Sequence, residues 1–319
     1  MELNSPSLYL GQLHSDDLDT RLQALLDLDE EQLDALQVKD LEPLLTDEDH
    51  AIRQLTLSAL AELGDLAAIP LILEATADRD ARVVAAATAA LREFRTRDAI
   101  DPFTAGVAHR APEVRAAAIV NLRDFRSQRA IPALRAAVED ASALVRREAV
   151  VTLSQVADAR TSELLLWSFY DQDAGVRQAA VRAVGGVGDA KTLGLVIRAL
   201  QDVDAEVRRV AASMLVGYPG ASAAQFALQR ALRDSQPEVV REAIRSLGKL
   251  RAPVAQYLAP FLENESREIR IAAAKALGQI GEASSRFQLA ALLHDSDKGV
   301  IRAALHAIAQ LDAFESKAA

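Results

Sequence analysis

Arg147, Arg182, Arg209, Arg241, Arg245, Lys275 and Arg302 share two slots of a recurring pattern, so on helices they would stand along one ridge of positive charge. The chemistry open to such a ridge is recognition of anions through charge-assisted hydrogen bonds. Other chemistry is scarce. The chain has no cysteine, which removes thiolate metal ligands, iron–sulfur ligation, disulfides and a thiol nucleophile. Of the histidines His14, His50, His109, His294 and His306, the second, third and fourth fall in or beside turns of well-separated segments, so they cannot converge on one ion. Residues 185–192 read Gly-Gly-Val-Gly-Asp-Ala-Lys-Thr and look like a phosphate-binding loop. Yet Ala190 stands where a second glycine is required, and the run follows a helical segment where a strand is needed. Carboxylates are plentiful, but they recur at one turn position and isolate no acid–base pair. Trp167, Phe169 and Tyr170 form an aromatic cluster that would fill core between helices or, alternatively, offer a cofactor platform. No catalytic, cofactor-binding or metal-binding residue is assigned, and a non-catalytic role is expected.

The pattern that positions these residues repeats every 31 residues or so. Asp-Gln-Asp-Ala-Gly-Val-Arg at 171–177 becomes Asp-Val-Asp-Ala-Glu-Val-Arg at 202–208. With the arginine slot as anchor, the repeats fall at Arg21, Arg53, Val84, Arg115, Arg146, Arg177, Arg208, Val240, Arg270 and Ile301. A fixed period of this size is the signature of a solenoid whose units bury their apolar faces against neighbours. Four residues before the anchor, eight of ten positions are Asp or Ser, which predicts helix N-caps. Apolar residues one before and three, four and seven after the anchor make one stripe of a helix, here termed helix B. The position three after it is Ala in nine of ten repeats, with Thr56 the exception, which predicts very close helix–helix approach.

One further helix, A, fits between successive B helices. Gly64, Gly188 and Gly281 share the register of a C-terminal stop for helix B. Pro70, Pro102 and Pro132 would sit in the first turn of their A helices, where the missing N–H costs nothing. Pro43 and Pro260 lie in a later register and should bend theirs. Arg occupies seven anchor slots, and Asp seven positions six residues earlier; this regular pairing predicts a ladder of ion pairs between repeats.

The Asp-x-x-x-x-Val-Arg turn, the alanine column and endings such as Leu277-Gly278-Gln279-Ile280-Gly281 resemble the HEAT-repeat superfamily, specifically its short phycobilisome-lyase-like branch. The likeness runs from about Ser15 to Phe314. It implies an all-α fold, an α-α superhelix (solenoid) of about ten helical hairpins, with helix B on the concave side. The resemblance also implies an alternative function as a bilin lyase or phycobiliprotein-chaperone-like subunit, with Arg182, Arg241 and Arg245 holding bilin propionates and a bilin-carrying protein as partner. No catalytic residue of that branch matches a position here. HEAT-like metal hydroxylases use His-Glu pairs, whereas these histidines are followed by Ser15, Ala51, Arg110, Asp295 and Ala307. Helical-repeat nucleic-acid-binding proteins, DNA glycosylases among them, are a further alternative. A pI near 5.1 and a single tryptophan count against nucleic acid.

The unbroken phase argues for one solenoid over residues 1–319. Its net charge of −10 is unevenly placed: residues 1–50 carry −12, the remainder +2. The acidic repeats would form a polar cap or else an acidic docking surface. No apolar run approaches the ~20 residues a membrane span needs. The N-terminus shows no basic region followed by an apolar run, so a cytoplasmic location without a signal peptide is expected. The exposed slots one and five after the anchor are apolar in the third and fourth repeats, where Ala85, Ala89, Ala116 and Val120 would form a patch. From about 140 to 310 the same slots carry the seven cations and no acid, although Glu148 and Glu242 lie nearby. The expected function is a protein-interaction scaffold that grips an acidic protein partner on its helix-B face, without cofactor.

Overall fold

Several B helices begin where an aspartate side chain accepts from the free N–H groups of the first turn. Asp17 accepts from Thr20, Asp49 from Ala51, Asp80 from Arg82, and Asp204 from Glu206 and Val207. The serines in that slot behave differently. Neither Ser142 nor Ser266 makes a side-chain cap, and the Ser266 hydroxyl donates instead to Glu268.

The computed structural model describes residues 6–156, 165–185 and 190–318, which are helices and turns without a strand. The chain divides into two units, Met1–Leu164 and Leu165–Ala319. In the first, the B helices are Leu18–Leu26, His50–Leu63, Ala81–Leu91, Pro112–Leu122 and Ala143–Gln155. The second contains Ala174–Gly185, Ala205–Met214, Pro237–Lys249, Arg267–Ile280 and Lys298–Ala318. A short A helix precedes each. The first repeat adds one element that the period does not announce, Glu30–Ala35, opened by a capping box between Asp29 and Gln32.

Proline decides what kind of A helix forms. Pro70, Pro102 and Pro132 lie in the first turns of Ala68–Glu74, Ile100–Gly106 and Ile131–Ala137. Pro43 and Pro260 lie later, and there the α-helix stops at Leu41 and Leu258 and continues as a 3-10 turn. Gly64 and Gly281 end their B helices with φ of 67° and 82°, a left-handed turn that favours glycine. Gly188 lies outside the described residues. Arg126 and Arg251 fill the same stop register at φ 46° and 49°, so two helices end without the glycine the pattern requests.

The core follows the predicted columns. Nine of the ten residues of the alanine column, from Thr56 through Ala304, are fully buried, and Ala24 is 5% exposed. Thr56 is accommodated because its hydroxyl donates back to the Ile52 carbonyl at 2.8 Å. Contact is close late in the second unit, where a Cβ on Gly248 would lie 2.7 Å from the Ala276 Cα and one on Gly278 equally near that of Ala307.

Polar clamps lock these layers together. In the first unit Arg21, Arg53 and Arg115 reach Asp47, Asp78 and Asp140 of the following repeat at 2.9, 2.9 and 2.7 Å. In the second, Arg177, Arg208 and Arg270 reach Asp202, Asp234 and Asp295 at 2.7, 2.7 and 2.8 Å. Each of these guanidiniums uses Nε and Nη2 on the carboxylate and donates Nη1 to two carbonyls of its own inter-helix turn, as Arg53 does to Asp47 and Glu48. Each aspartate also accepts the N–H two residues on, as Asp202 does from Asp204 at 2.8 Å. Val84 and Val240 carry no guanidinium, and the aspartate slot of the next repeat then holds His109 and Asn264. These two keep the turn bond, accepting from Ala111 at 3.1 Å and Ser266 at 2.9 Å, but drop the charge.

Burial would raise the carboxyls of Asp78, Asp140 and Asp202, but their arginine and backbone hydrogen bonds prevail and hold them below the ordinary value. Asp234 and Asp295 are held low chiefly by Arg208 and Arg270. Depressed carboxylates stabilise the fold fully above their unfolded pKa and lose that contribution as pH falls through the folded value. Melting temperature is therefore expected to hold steady down to about pH 5 and to fall below about pH 4, where unfolded aspartate titrates. Thermal scans across that range check this; a decline centred near neutrality would contradict it. Asp78→Asn, which strands the 4%-exposed Arg53, should cost on the order of 3 kcal/mol in urea unfolding.

Candidate cationic groove on the B helices

The seven cations of the expected ridge divide between the units. In the first, exposed Arg147 lies 3.1 Å from Glu148, whose other oxygen is held by Arg123 at 2.7 Å. Its charge is thus compensated at home. The neighbouring apolar patch is smaller than expected: Ala85, Ala89 and Val120 are exposed, but Ala116 is buried to 5%. A lone methyl group there does not project past the helices packed on either side.

In the second unit the slots one and five after the anchor place Arg182, Arg209, Arg241, Arg245, Lys275 and Arg302 on successive B helices. Arg209 pairs with Glu206 at 2.7 Å and Arg245 approaches Glu242 at 3.6 Å, both one helical turn away. The Arg209 hydrogen bond, with Arg182 adding to the field, keeps the Glu206 carboxyl low. Arg182, Arg241, Lys275 and Arg302 make no ion pair among the described residues. Arg241 is half-buried, with its Nε enclosed and without an acceptor.

Two of the cations converge. Arg245 and Lys275 border a groove of about 360 Å³ between Pro237–Lys249 and Arg267–Ile280, with Ile271, Ala272 and Ala276 as its apolar wall. Lys249 joins them. Sequence reasoning missed Lys249 because it lies four residues beyond Arg245, one further turn along the same helix face. Glu242 is the one carboxylate in the lining, so three cations face a single acid.

The acidic end of the chain forms a cavity of its own. About 610 Å³ is lined by residues including Tyr9, Leu10, Asp19, Asp27, Glu31 and Leu36. Tyr9 donates to the Ala24 carbonyl at 2.5 Å, and burial, then Asp27 and Asp29, pushes its phenol up to about 12.

The aromatic cluster is not core. Trp167 is 79% exposed and Tyr170 56%, while Phe169 is half-buried. Tyr170 instead stacks with Arg198, whose guanidinium carbon is 5.1 Å from the ring centroid. The short helix at 165–168 buries Leu165 and Ser168, which turns Trp167 outward. The central residues of the glycine-rich run, 186–189, lie outside the described residues; its last three open the helix Ala190–Ala199.

Comparison with known proteins agrees with this architecture. A solved engineered protein is 19% identical with a TM-score of 0.51, the match covering 97% of this chain and 99% of that one. The structure of YIBA_ECOLI is 21% identical with a TM-score of 0.53, over 88% and 94%. Kap95p, solved with RanGDP, reaches a TM-score of 0.63 at 14% identity, over 97% of this chain but 50% of its own length. No curated protein matches the sequence. No described helix is long and apolar enough to cross a membrane.

As the sole tryptophan, Trp167 supplies the intrinsic tryptophan fluorescence of the chain. Its emission should be that of a hydrated indole, freely quenched by acrylamide; a blue-shifted, protected emission would place it in the core after all.

The family profile described as HEAT repeats matches residues 38–123, 100–173, 162–230 and 224–309, and the chain belongs to that family, whose solenoids commonly serve as protein-interaction scaffolds.

Proposed function

We propose that this protein is a non-catalytic scaffold whose B-helix face, within Leu165–Ala319, holds an acidic segment of a protein partner. The observation that carries the reading is the groove between Pro237–Lys249 and Arg267–Ile280, where Arg245, Lys249 and Lys275 face Glu242 alone. A carboxylate-bearing segment would replace water around these cations and rest its apolar atoms on Ile271 and Ala272. Arg241 on the same helix as Arg245, and Arg182 and Arg302 on other B helices, extend the field, while Arg209 is offset by Glu206. Kap95p, a structural neighbour, acts on a protein through binding, which is in keeping with a solenoid used as a grip.

A fluorescein-labelled glutamate-rich peptide tests the reading. It should bind wild type in low salt and weaken roughly ten-fold or more when Arg182, Arg241, Arg245 and Lys275 are all changed to Glu, and likewise on raising salt from about 0.05 to about 0.5 M. Equal binding by both proteins sinks the proposal. Tighter retention of a single-stranded oligonucleotide than of the peptide would favour nucleic acid, and visible colour after co-expression with a bilin would favour the lyase-like alternative.

A further inference from the structure

A second groove in the Leu165–Ala319 unit lies on A helices and shares no residue with the cationic groove of the B helices. It is larger, about 690 Å³, and runs between Ser222–Ala231 and the proline-broken helix that begins at Ala255. Phe226 and Tyr257 stand on its two sides, 63% and 50% exposed, with Phe261 also in the lining. Water-exposed aromatic rings forfeit the burial that stabilises most aromatic side chains, and two of them bordering one groove mark a binding surface. They are also periodic. Tyr257 follows Phe226 by 31 residues, and Phe287, 85% exposed, follows by 30 more.

The charge of the groove limits what can enter. Arg230 and Arg233 line it, no carboxylate does, and neither arginine makes an ion pair among the described residues. Asp234, next in sequence, is already paired with Arg208, which holds both of its oxygens at 2.7 and 2.9 Å. Gln229 and Gln256 add amides able both to donate to and accept from an extended backbone. Aromatic walls, unpaired arginines and facing amides match a peptide with one bulky apolar residue amid acids.

We propose that this groove docks a short acidic segment of a partner protein, which inserts one bulky apolar side chain between Phe226 and Tyr257 and sets carboxylates against Arg230 and Arg233. The proposal goes beyond the B-helix reading, since either surface can bind without the other.

A peptide array tests it. Each peptide carries Asp and Glu around a central Ser, Ala, Leu, Phe or Trp, and binding is read by fluorescence anisotropy with full-length protein. Leu, Phe or Trp at the centre should bind roughly ten-fold or more tightly than Ser, and that preference should vanish in the double variant Phe226→Ser, Tyr257→Ser. Arg230→Glu with Arg233→Glu should weaken every acidic peptide at this site, while Arg245→Glu with Lys275→Glu should leave the central-residue preference intact. The substituted aromatic side chains are exposed, and an unchanged melting curve confirms that the variants fold. No preference at the central residue, or one that survives the aromatic double variant, overturns the proposal. So does a concentration-dependent dimer abolished by that variant, which would assign the groove to a second copy of this chain.

Discussion

The arginine that reaches forward one repeat is the interaction on which the rest depends. Its guanidinium satisfies the carbonyls of its own turn through one nitrogen and the next repeat's carboxylate through the other two, as in Arg208 with Asp202, Val203 and Asp234. A turn between two helices leaves backbone carbonyls without partners, and burying them against a neighbour would be costly. The clamp removes that cost and fixes the spacing between repeats in one set of bonds. A flexible lysine could not, since it lacks the planar fork that meets carboxylate and carbonyls together.

The exceptions show which part of the clamp is separable. Where Val84 and Val240 replace the arginine, the aspartate disappears from the following repeat, because a carboxylate buried there without its guanidinium would be uncompensated. Yet His109 and Asn264 still accept the backbone N–H two residues on. Turn geometry and inter-repeat charge are thus two jobs done by one aspartate, and two junctions keep the first without the second.

Because clamp, alanine column and caps are internal to the stack, the outward slots are left free to vary, and binding chemistry can collect there. The Leu165–Ala319 unit presents two outward surfaces of different character. On its B helices, cations interleave with Glu206 and Glu242, giving a field with little apolar footing outside one groove. On its A helices, Phe226, Tyr257 and Phe261 supply that footing, and Arg230 and Arg233 the charge. A charged surface steers and selects partners, whereas an aromatic one supplies desolvated contact.

Most of the scaffold was legible in the sequence, since its signals are local and periodic: the Asp-to-Val-Arg turn, the buried alanines, the prolines that open or break A helices, and the stops at Gly64 and Gly281. The exposed slots of helix B were legible for the same reason, and they located Arg182, Arg245 and Lys275 on outward faces. What a single period could not supply was the state of each side chain. It gave no sign that Ala116 is covered or that Ser142 and Ser266 leave their caps unused, and it placed Glu148 near the cations without showing that it pairs with Arg147. Trp167 was misplaced because an aromatic run beside a turn reads as core, whereas the short helix buries Leu165 and Ser168 instead. Lys249 and the Phe226–Tyr257 groove belong to the same class. Sequence alone determined which columns pack and how the repeats join, because those constraints recur in every unit. Only tertiary structure decided which cations stay unpaired and where helices part to leave a groove, because both depend on neighbours some 30 residues away whose side chains differ from repeat to repeat.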